Sequence, residues 1–121
     1  MLPNSARIKS SSDFARVTKT GRRITTNSLV GYFYTESISQ TEQPKLGLIV
    51  GKSIGNSVIR NRISRQIRHA VSQNLTDLPN GTLLVVRAIK RPENAFVETK
   101  EVIAKYLKRS NNISEKTKVN A

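Results

Sequence analysis

The centre of the sequence reads Gly51-Lys-Ser-Ile-Gly-Asn-Ser-Val-Ile-Arg-Asn-Arg-Ile-Ser-Arg-Gln-Ile-Arg-His69. Gly55, Asn56 and Ser57 predict a turn that leads into a helix, because Asn56 or Ser57 can accept hydrogen bonds from the free N–H groups of the first helical turn. Apolar residues then recur at the spacing of one helical face: Ile59, Ile63, Ile67, Ala70 and Val71. This pattern predicts an amphipathic helix from about Ser57 to Gln73 with one buried side.

The rest of that helix is strongly basic. Four arginines fall within nine residues, at positions 60, 62, 65 and 68, and no acidic residue occurs between Glu42 and Asp77. A solvated helix face usually mixes charges, because opposite charges at i,i+4 stabilise it and like charges repel. A guanidinium group can donate two parallel hydrogen bonds to a phosphate. The pattern therefore favours a helix that lies against a polyanion.

The pattern Val58-x-Arg60-Asn61-Arg62-x-x-Arg65-x-x-Arg68 resembles the arginine-rich signature of the protein subunit of bacterial ribonuclease P. The segment before it, from Leu46 to Asn56, is similar to the strand and turn that precede the signature in that family. The flanks extend the likeness, with a first helix between Arg7 and Gly21 and a last strand at 83–87. The resemblance covers residues 5 to 109.

Composition restricts the class of protein further. The chain has 121 residues, 21 Lys+Arg against 8 Asp+Glu, a formal charge of +13 and no cysteine. Such a charge favours nucleic acid as partner, and the lack of cysteine excludes disulfide scaffolds and thiol chemistry. No apolar segment has the length of a membrane span, so we expect a cytoplasmic protein with no membrane partner. We predict a single RNA-binding domain over residues 1–109, with a mobile or loosely packed arm at 1–10, and a disordered polar tail at 110–121.

Periodicity gives the order of the elements. A short helix is expected around 13–19, ended by Gly21 in the left-handed conformation. Strands are expected at Ile24, 29–34, 45–52 and 82–88, and a last helix from about Asn94. That helix should turn five apolar side chains toward the core: Val97, Val102, Ile103, Tyr106 and Leu107. The order α-β-β-β-α-β-α predicts an α+β fold, a single-domain sandwich with one mixed sheet packed against helices. The resemblance further implies a left-handed crossover in the strand–helix–strand unit.

No catalytic constellation is evident. The acidic residues are scattered, no phosphate-binding glycine motif occurs, and no nucleophile has a base near it in sequence. The only histidine, His69, favours a surface or RNA-contacting role over that of a general base, because no acid or second ligand stands near it. We therefore expect no catalytic residue in the protein itself, which the sequence predicts to be a binder.

The resemblance implies two RNA-binding surfaces. The surface for the catalytic RNA would comprise Lys52, Arg60, Asn61, Arg62, Arg65 and Arg68. A cleft between the first helix and the sheet would hold the single-stranded 5′ leader of precursor tRNA, where aromatic rings suit stacking of bases. It would comprise Phe14, Val17, Thr18 and Tyr32. Position 18 is often aromatic in relatives, so Thr18 departs from the pattern, and ordinary core packing is the alternative for Phe14 and Tyr32.

The resemblance also implies the activity. The protein would assist endonucleolytic removal of the leader, with catalysis by the RNA subunit and its Mg²⁺. It implies no organic cofactor and no obligate protein partner, and it does not decide whether the protein itself contacts a metal ion.

Other classes stay open on the sequence alone. A ribosomal or other structural RNA-binding protein would have the same charge, size and lack of catalytic residues. A DNA-binding protein is less favoured, because no helix-turn-helix pair precedes the basic helix. A membrane-surface protein would need bulky aromatic residues on the apolar helix face. A free-standing nuclease would need clustered carboxylates or histidines.

Overall fold

The computed structural model has a mixed four-stranded sheet with helices on both faces. It describes residues 7–8, 11–35, 44–74, 77–78 and 81–120, and in the last of these ranges it describes side chains only up to Lys108. The elements follow the predicted order α-β-β-β-α-β-α. The helices and strands are α1 (Ser11–Thr20), β1 (Arg22–Thr25), β2 (Leu29–Thr35), β3 (Lys45–Ile49), a 3₁₀ turn (Lys52–Ile54), α2 (Ser57–Gln73), β4 (Thr82–Ala88) and α3 (Ala95–Asn120).

The strand order is β1-β2-β4-β3; β2 is antiparallel to both β1 and β4, and β3 is parallel to β4. The parallel pair encloses α2, so β3, α2 and β4 form a strand–helix–strand unit. The register sets Tyr32 of β2 opposite Val85 of β4, and Val85 beside Gly47 of β3. Because side chains opposite each other in a ladder share a face, these three positions form one row across the sheet. The predicted α+β class and mixed sheet are confirmed.

Side chains of β2 alternate between two cores on opposite faces of the sheet. Leu29 and Phe33 face the larger core, which α2 and α3 cover and in which Ile67 and Ile103 are almost fully buried. The Phe33 and Tyr106 rings stack there with their centroids 4.0 Å apart. The smaller core lies under α1 on the opposite face of the sheet, and consists of Ile8, Val17, Leu83 and Val85, with Phe14, Tyr32 and Tyr34 packed against it. The sheet thus separates the face of α1 from the face of α2 and α3.

Three local predictions were wrong. The strand predicted at 45–52 ends at Ile49, and Lys52–Ile54 form a 3₁₀ turn. Val97 is 57% exposed, because the buried residues of α3 (Ala95, Thr99, Val102 and Ile103) lie on the side of the helix opposite it. Gly21 is not among the described glycines with positive φ. A Cβ at Gly21 would lie 2.4 Å from the Val17 carbonyl oxygen and 3.0 Å from that of Phe33, so close backbone approach explains the glycine.

The two ends of the chain differ in how far the structure describes them. Arg7 forms a bridge with Leu46, and Ile8 is buried with its N–H donating to the Leu46 carbonyl at 2.9 Å. These two residues extend the β3 edge, although a mobile or loosely packed arm was predicted for 1–10; the other residues of that arm lie outside the described ones. The bounds of α3 include 110–120, where the sequence predicts a disordered tail. With no side chain described beyond Lys108, the tail and the boundary at 109 stay predictions.

Candidate nucleic-acid interface

The arginine helix starts as the sequence predicts. The Asn56 side chain accepts a hydrogen bond from the Ile59 N–H at 3.0 Å, and the Asn56 carbonyl accepts one from the Arg60 N–H at 2.9 Å. The cap satisfies a donor that the helix itself cannot satisfy, and so it fixes where the first turn begins. Lys52 stands exposed in the 3₁₀ turn just before it, beside the start of α2.

The outward side of α2 is an open groove of about 630 Å³. It is lined by Val58, Asn61, Arg62, Arg65, Gln66, Arg68 and His69. Arg62 and Arg65 are exposed, and neither forms an ion pair with a residue of the described part. Uncompensated guanidinium groups on one helix side repel one another, so this surface is suited to a partner that supplies negative charge.

Arg60 and Arg68 differ from the two exposed arginines, because both are half-buried. The Nε of Arg60 is buried and has no hydrogen-bond partner among the described residues. A buried donor without a partner is costly, so its N–H is available to an anion that approaches the start of α2. The predicted set of arginines therefore surrounds the helix on more than one side and does not form a single row.

A second, smaller pocket of about 200 Å³ connects the arginine helix to the other face of the sheet. It is lined by Arg7, Ile8, Phe14, Leu46, Gly47, Leu48 and Arg68. Arg7 was not predicted as a site residue, and its buried Nε also lacks a hydrogen-bond partner among the described residues. Two guanidinium groups thus line one pocket that has an aromatic ring in its wall. Only the isolated Arg7-Ile-Lys9 segment could have indicated this, and its position against β3 is a tertiary feature.

The predicted cleft residues form one cluster between α1 and the sheet. Phe14 and Tyr32 are half-buried, whereas Val17 has 0% exposure and supports the two rings from beneath. The Phe14 ring lies directly over Gly47, because a Cβ built there would be 2.5 Å from the Cε1 and Cζ atoms of the ring. Gly47 of β3, which has no side chain, leaves room on this face of the sheet, and the Phe14 ring occupies it.

Thr18 lies on the same helix as Phe14 but has no aromatic ring on which a base could stack. Its hydroxyl donates to the Phe14 carbonyl at 2.9 Å and to that of Ala15 at 3.2 Å. Such back-bonding to the preceding turn leaves the hydroxyl satisfied within α1. Phe14 and Tyr32 are therefore the aromatic groups of the predicted cleft, and Thr18 contributes only a small, half-buried side chain.

Carboxylates are few around these surfaces, and two of the described ones, Glu98 and Glu101, have local partners. Glu98 accepts hydrogen bonds from the Thr26 hydroxyl and the Ser28 N–H, both at 2.9 Å, and so ties the β1–β2 turn to α3. Glu101 lies 3.4 Å from the Lys105 ammonium. No group of three or more His, Cys, Asp or Glu side chains that could hold a metal ion occurs within the described ranges. In the described part of the chain, no helix has the length and apolar character needed to span a membrane.

His69 lies at the far end of the α2 groove, next to two residues of α3 that the sequence did not single out. Its ring centroid is 5.2 Å from that of Phe96, and the Lys100 ammonium is 4.7 Å from the Phe96 centroid. These contacts join the end of α2 to the start of α3. They depend on how the two helices pack, which no local pattern in either segment indicates.

The family model and the relatives that match this chain agree with one another. The family model described as Ribonuclease P matches residues 2–111. The ribonuclease P protein component of Acidothermus cellulolyticus is 38% identical over 106 residues, covering 88% of this chain and 86% of the relative. That of Beutenbergia cavernae is 40% identical over 95 residues, covering 78% of each chain.

Solved structures agree with these relatives. The ribonuclease P protein of Staphylococcus aureus superimposes with a TM-score of 0.68 at 26% identity, covering 87% of this chain and 94% of that one. That of Thermotoga maritima shares the fold, with a TM-score of 0.66 at 24% identity over 85% of this chain and 96% of that one. The chain therefore belongs to the ribonuclease P protein family.

Proposed function

We propose that this protein is the RNA-binding subunit of ribonuclease P, and that it assists removal of the 5′ leader from precursor tRNA. The observation that carries the proposal is the groove of α2, where Arg62 and Arg65 stand exposed without a carboxylate partner in the described part. Family membership supports the same assignment, because the curated relatives are named ribonuclease P protein components.

The arginine helix would bind the catalytic RNA. Its guanidinium groups can fork hydrogen bonds onto phosphates, and a polyanion would relieve their mutual repulsion. Arg62 and Arg65 would contact phosphates directly, with Asn61 in the same groove and Lys52 in the turn before α2. Arg60 would bind an anion at the start of α2, because its buried Nε needs an acceptor.

The cluster under α1 would bind the leader. Phe14 and Tyr32 provide aromatic faces on which unpaired bases can stack, independently of sequence. Arg68 and Arg7 line the adjoining pocket, so phosphates of the same strand would find cations next to the rings. The leader would then pass from the aromatic cluster toward the arginine helix around the edge of β3.

The chemical step is assigned to the RNA. Among the described side chains there is no cluster of three or more metal-binding residues. Mg²⁺, as the family resemblance implies, would be bound by the RNA subunit, where it supplies the metal-ion chemistry of phosphodiester hydrolysis. The protein would position RNA and substrate in the cytoplasm, where the sequence leads us to expect it.

The test is cleavage of a precursor tRNA at low Mg²⁺ by the organism's ribonuclease P RNA, with and without the protein. The wild type should stimulate cleavage at the mature 5′ end, and Arg62→Ala/Arg65→Ala should stimulate it less. Lys105→Ala/Lys108→Ala is the matched control, because it removes the same charge from exposed positions of α3. Absence of stimulation at any salt concentration would favour a ribosomal or other structural RNA-binding role. Cleavage without the RNA would reveal a protein active site.

A further inference from the structure

His69, at the end of the α2 groove, has no part in the arginine contacts proposed above. His69 is exposed, and its ring lies against Phe96 with the two planes inclined by 32°. The amide nitrogen of Gln73, one turn later, is 3.3 Å from the His69 Nε2. Phe96 therefore covers one side of the imidazole and Gln73 holds one edge. The other side of the ring is left open to the groove.

A cation completes the cluster. The Lys100 ammonium lies over the face of Phe96, 4.7 Å from the ring centroid, and makes no ion pair within the part of the chain described here. A cation over an aromatic face is attracted by the ring quadrupole, which keeps the ammonium near the ring without neutralising its charge. A flat ring and a free positive charge thus lie side by side at the surface.

That combination fits a nucleotide. Bases stack on aromatic side chains of every kind, and the phosphate attached to a stacked base pairs with a neighbouring cation. The groove that leads to His69 is lined by Arg62 and Arg65. A nucleic-acid strand bound along α2 would therefore have a base next to the imidazole. An acidic peptide would pair with the arginines but would leave the ring without a stacking partner.

The position of this cluster in the fold indicates which RNA would bind to it. His69, Phe96 and Lys100 belong to α2 and α3, which cover one face of the sheet, whereas the Phe14–Tyr32 cluster lies under α1 on the other face. A leader held under α1 would reach α2 only around the edge of β3, at Arg68, whereas Phe96 and Lys100 belong to α3, which packs on β1 and β2 at the other end of the sheet. The occupant is therefore the catalytic RNA.

We propose that His69 is a stacking platform for an unpaired base of the catalytic RNA, an inference that rests on the proposed function. Phe96 holds the imidazole from behind, and Lys100 binds the phosphate of the stacked nucleotide. The RNA contact of α2 then continues onto the first two turns of α3. A purely structural role would give a different result, because it would affect the stability of the helix pair and leave RNA affinity unchanged.

The experiment measures the dissociation constant of the ribonuclease P RNA for the intact protein and its variants. His69→Ala should bind at least about fivefold more weakly, the lower end of what loss of one stacked base costs. His69→Phe keeps a flat ring and should restore most of the affinity. Lys100→Ala should weaken binding and lower the salt slope by about one unit. Lys105→Ala, whose charge is already paired with Glu101, should change both much less.

Further binding measurements distinguish a failure of this inference from a failure of the proposed function. The affinity of the assembled holoenzyme for precursor tRNA, at saturating protein, should be the same for wild type and His69→Ala. If His69→Ala lowered only this affinity, the stacked base would belong to the substrate and the inference would be overturned. RNA binding by His69→Ala and Lys100→Ala at the wild-type level would overturn it as well, while the proposed function would stand. Failure of the wild type to bind the RNA would overturn both. Melting curves check that each variant is folded.

Discussion

Gly47 offers a direct way to move Phe14 without changing it. In Gly47→Ala the new Cβ would lie 2.5 Å from the Cε1 and Cζ atoms of the Phe14 ring, about 1 Å inside ordinary contact distance. On its inner side the ring packs against the smaller core, where Val17 and Val85 are fully buried. Phe14 must therefore turn outward or α1 must shift. Overpacking of this kind costs about 1–3 kcal/mol, so the melting temperature should fall by several degrees.

Gly51→Ala is the matched control for this prediction. A Cβ at Gly51 has no neighbour within 4 Å, and the residue has φ −80°, which alanine adopts without strain. The control should therefore be neutral or stabilise the fold by up to about 1 kcal/mol, through the lower entropy of the unfolded chain. Circular dichroism melting of the two variants measures the difference. Equal melting temperatures would refute the packing of Phe14 on Gly47.

The same pair of variants tests the proposed cleft. If Phe14 stacks on the leader, Gly47→Ala holoenzyme should lose affinity for precursor tRNA but keep its affinity for mature tRNA, which has no leader. Gly51→Ala should resemble the wild type with both ligands. A loss that is equal for precursor and mature tRNA would contradict a role of Phe14 in leader binding.

Substitutions at two further positions, Asn56 and Glu98, test local hydrogen bonds of the fold. Asn56→Ala removes the cap on the Ile59 N–H and should lower the free energy of unfolding by about 1 kcal/mol in a denaturant titration, whereas Asn56→Ser should lower it less; no change in Asn56→Ala would show that the cap is not needed to start the helix. Glu98→Ala leaves the buried Ser28 N–H without its acceptor and should cost about 1–3 kcal/mol, with faster amide exchange at Ser28. Unchanged exchange there would contradict the Glu98 contact.

Much of α2 was predictable because its signals are local. The Asn56 cap, the apolar stripe and the end near Gln73 all follow from neighbours within a few residues, and the structure confirms them. The β2 alternation was predictable for the same reason, since successive side chains of a strand point to opposite faces of the sheet. The place of Phe14 followed from the resemblance, and the room for it followed from Gly47.

The rest depends on packing between distant segments. Val97 was predicted to face the core because it is apolar, but Ala95 and Thr99 occupy that face and the Thr99 hydroxyl is satisfied by the Ala95 carbonyl at 2.6 Å. Arg7 joins Arg68 in one pocket only because the N-terminal segment pairs with β3. The contact between α2 and α3 at His69 likewise arises from the crossing of two helices, which neither sequence pattern contains.

The most direct test of the central claim is the salt dependence of binding between the protein and ribonuclease P RNA. Each phosphate contact adds about one unit to the slope of log K against log salt concentration. Arg62→Ala/Arg65→Ala should therefore lower the slope by about two units relative to wild type. Lys105→Ala/Lys108→Ala, with the same loss of charge, should lower it less. A double arginine variant with the wild-type slope would contradict the assignment of α2 as the RNA-binding helix.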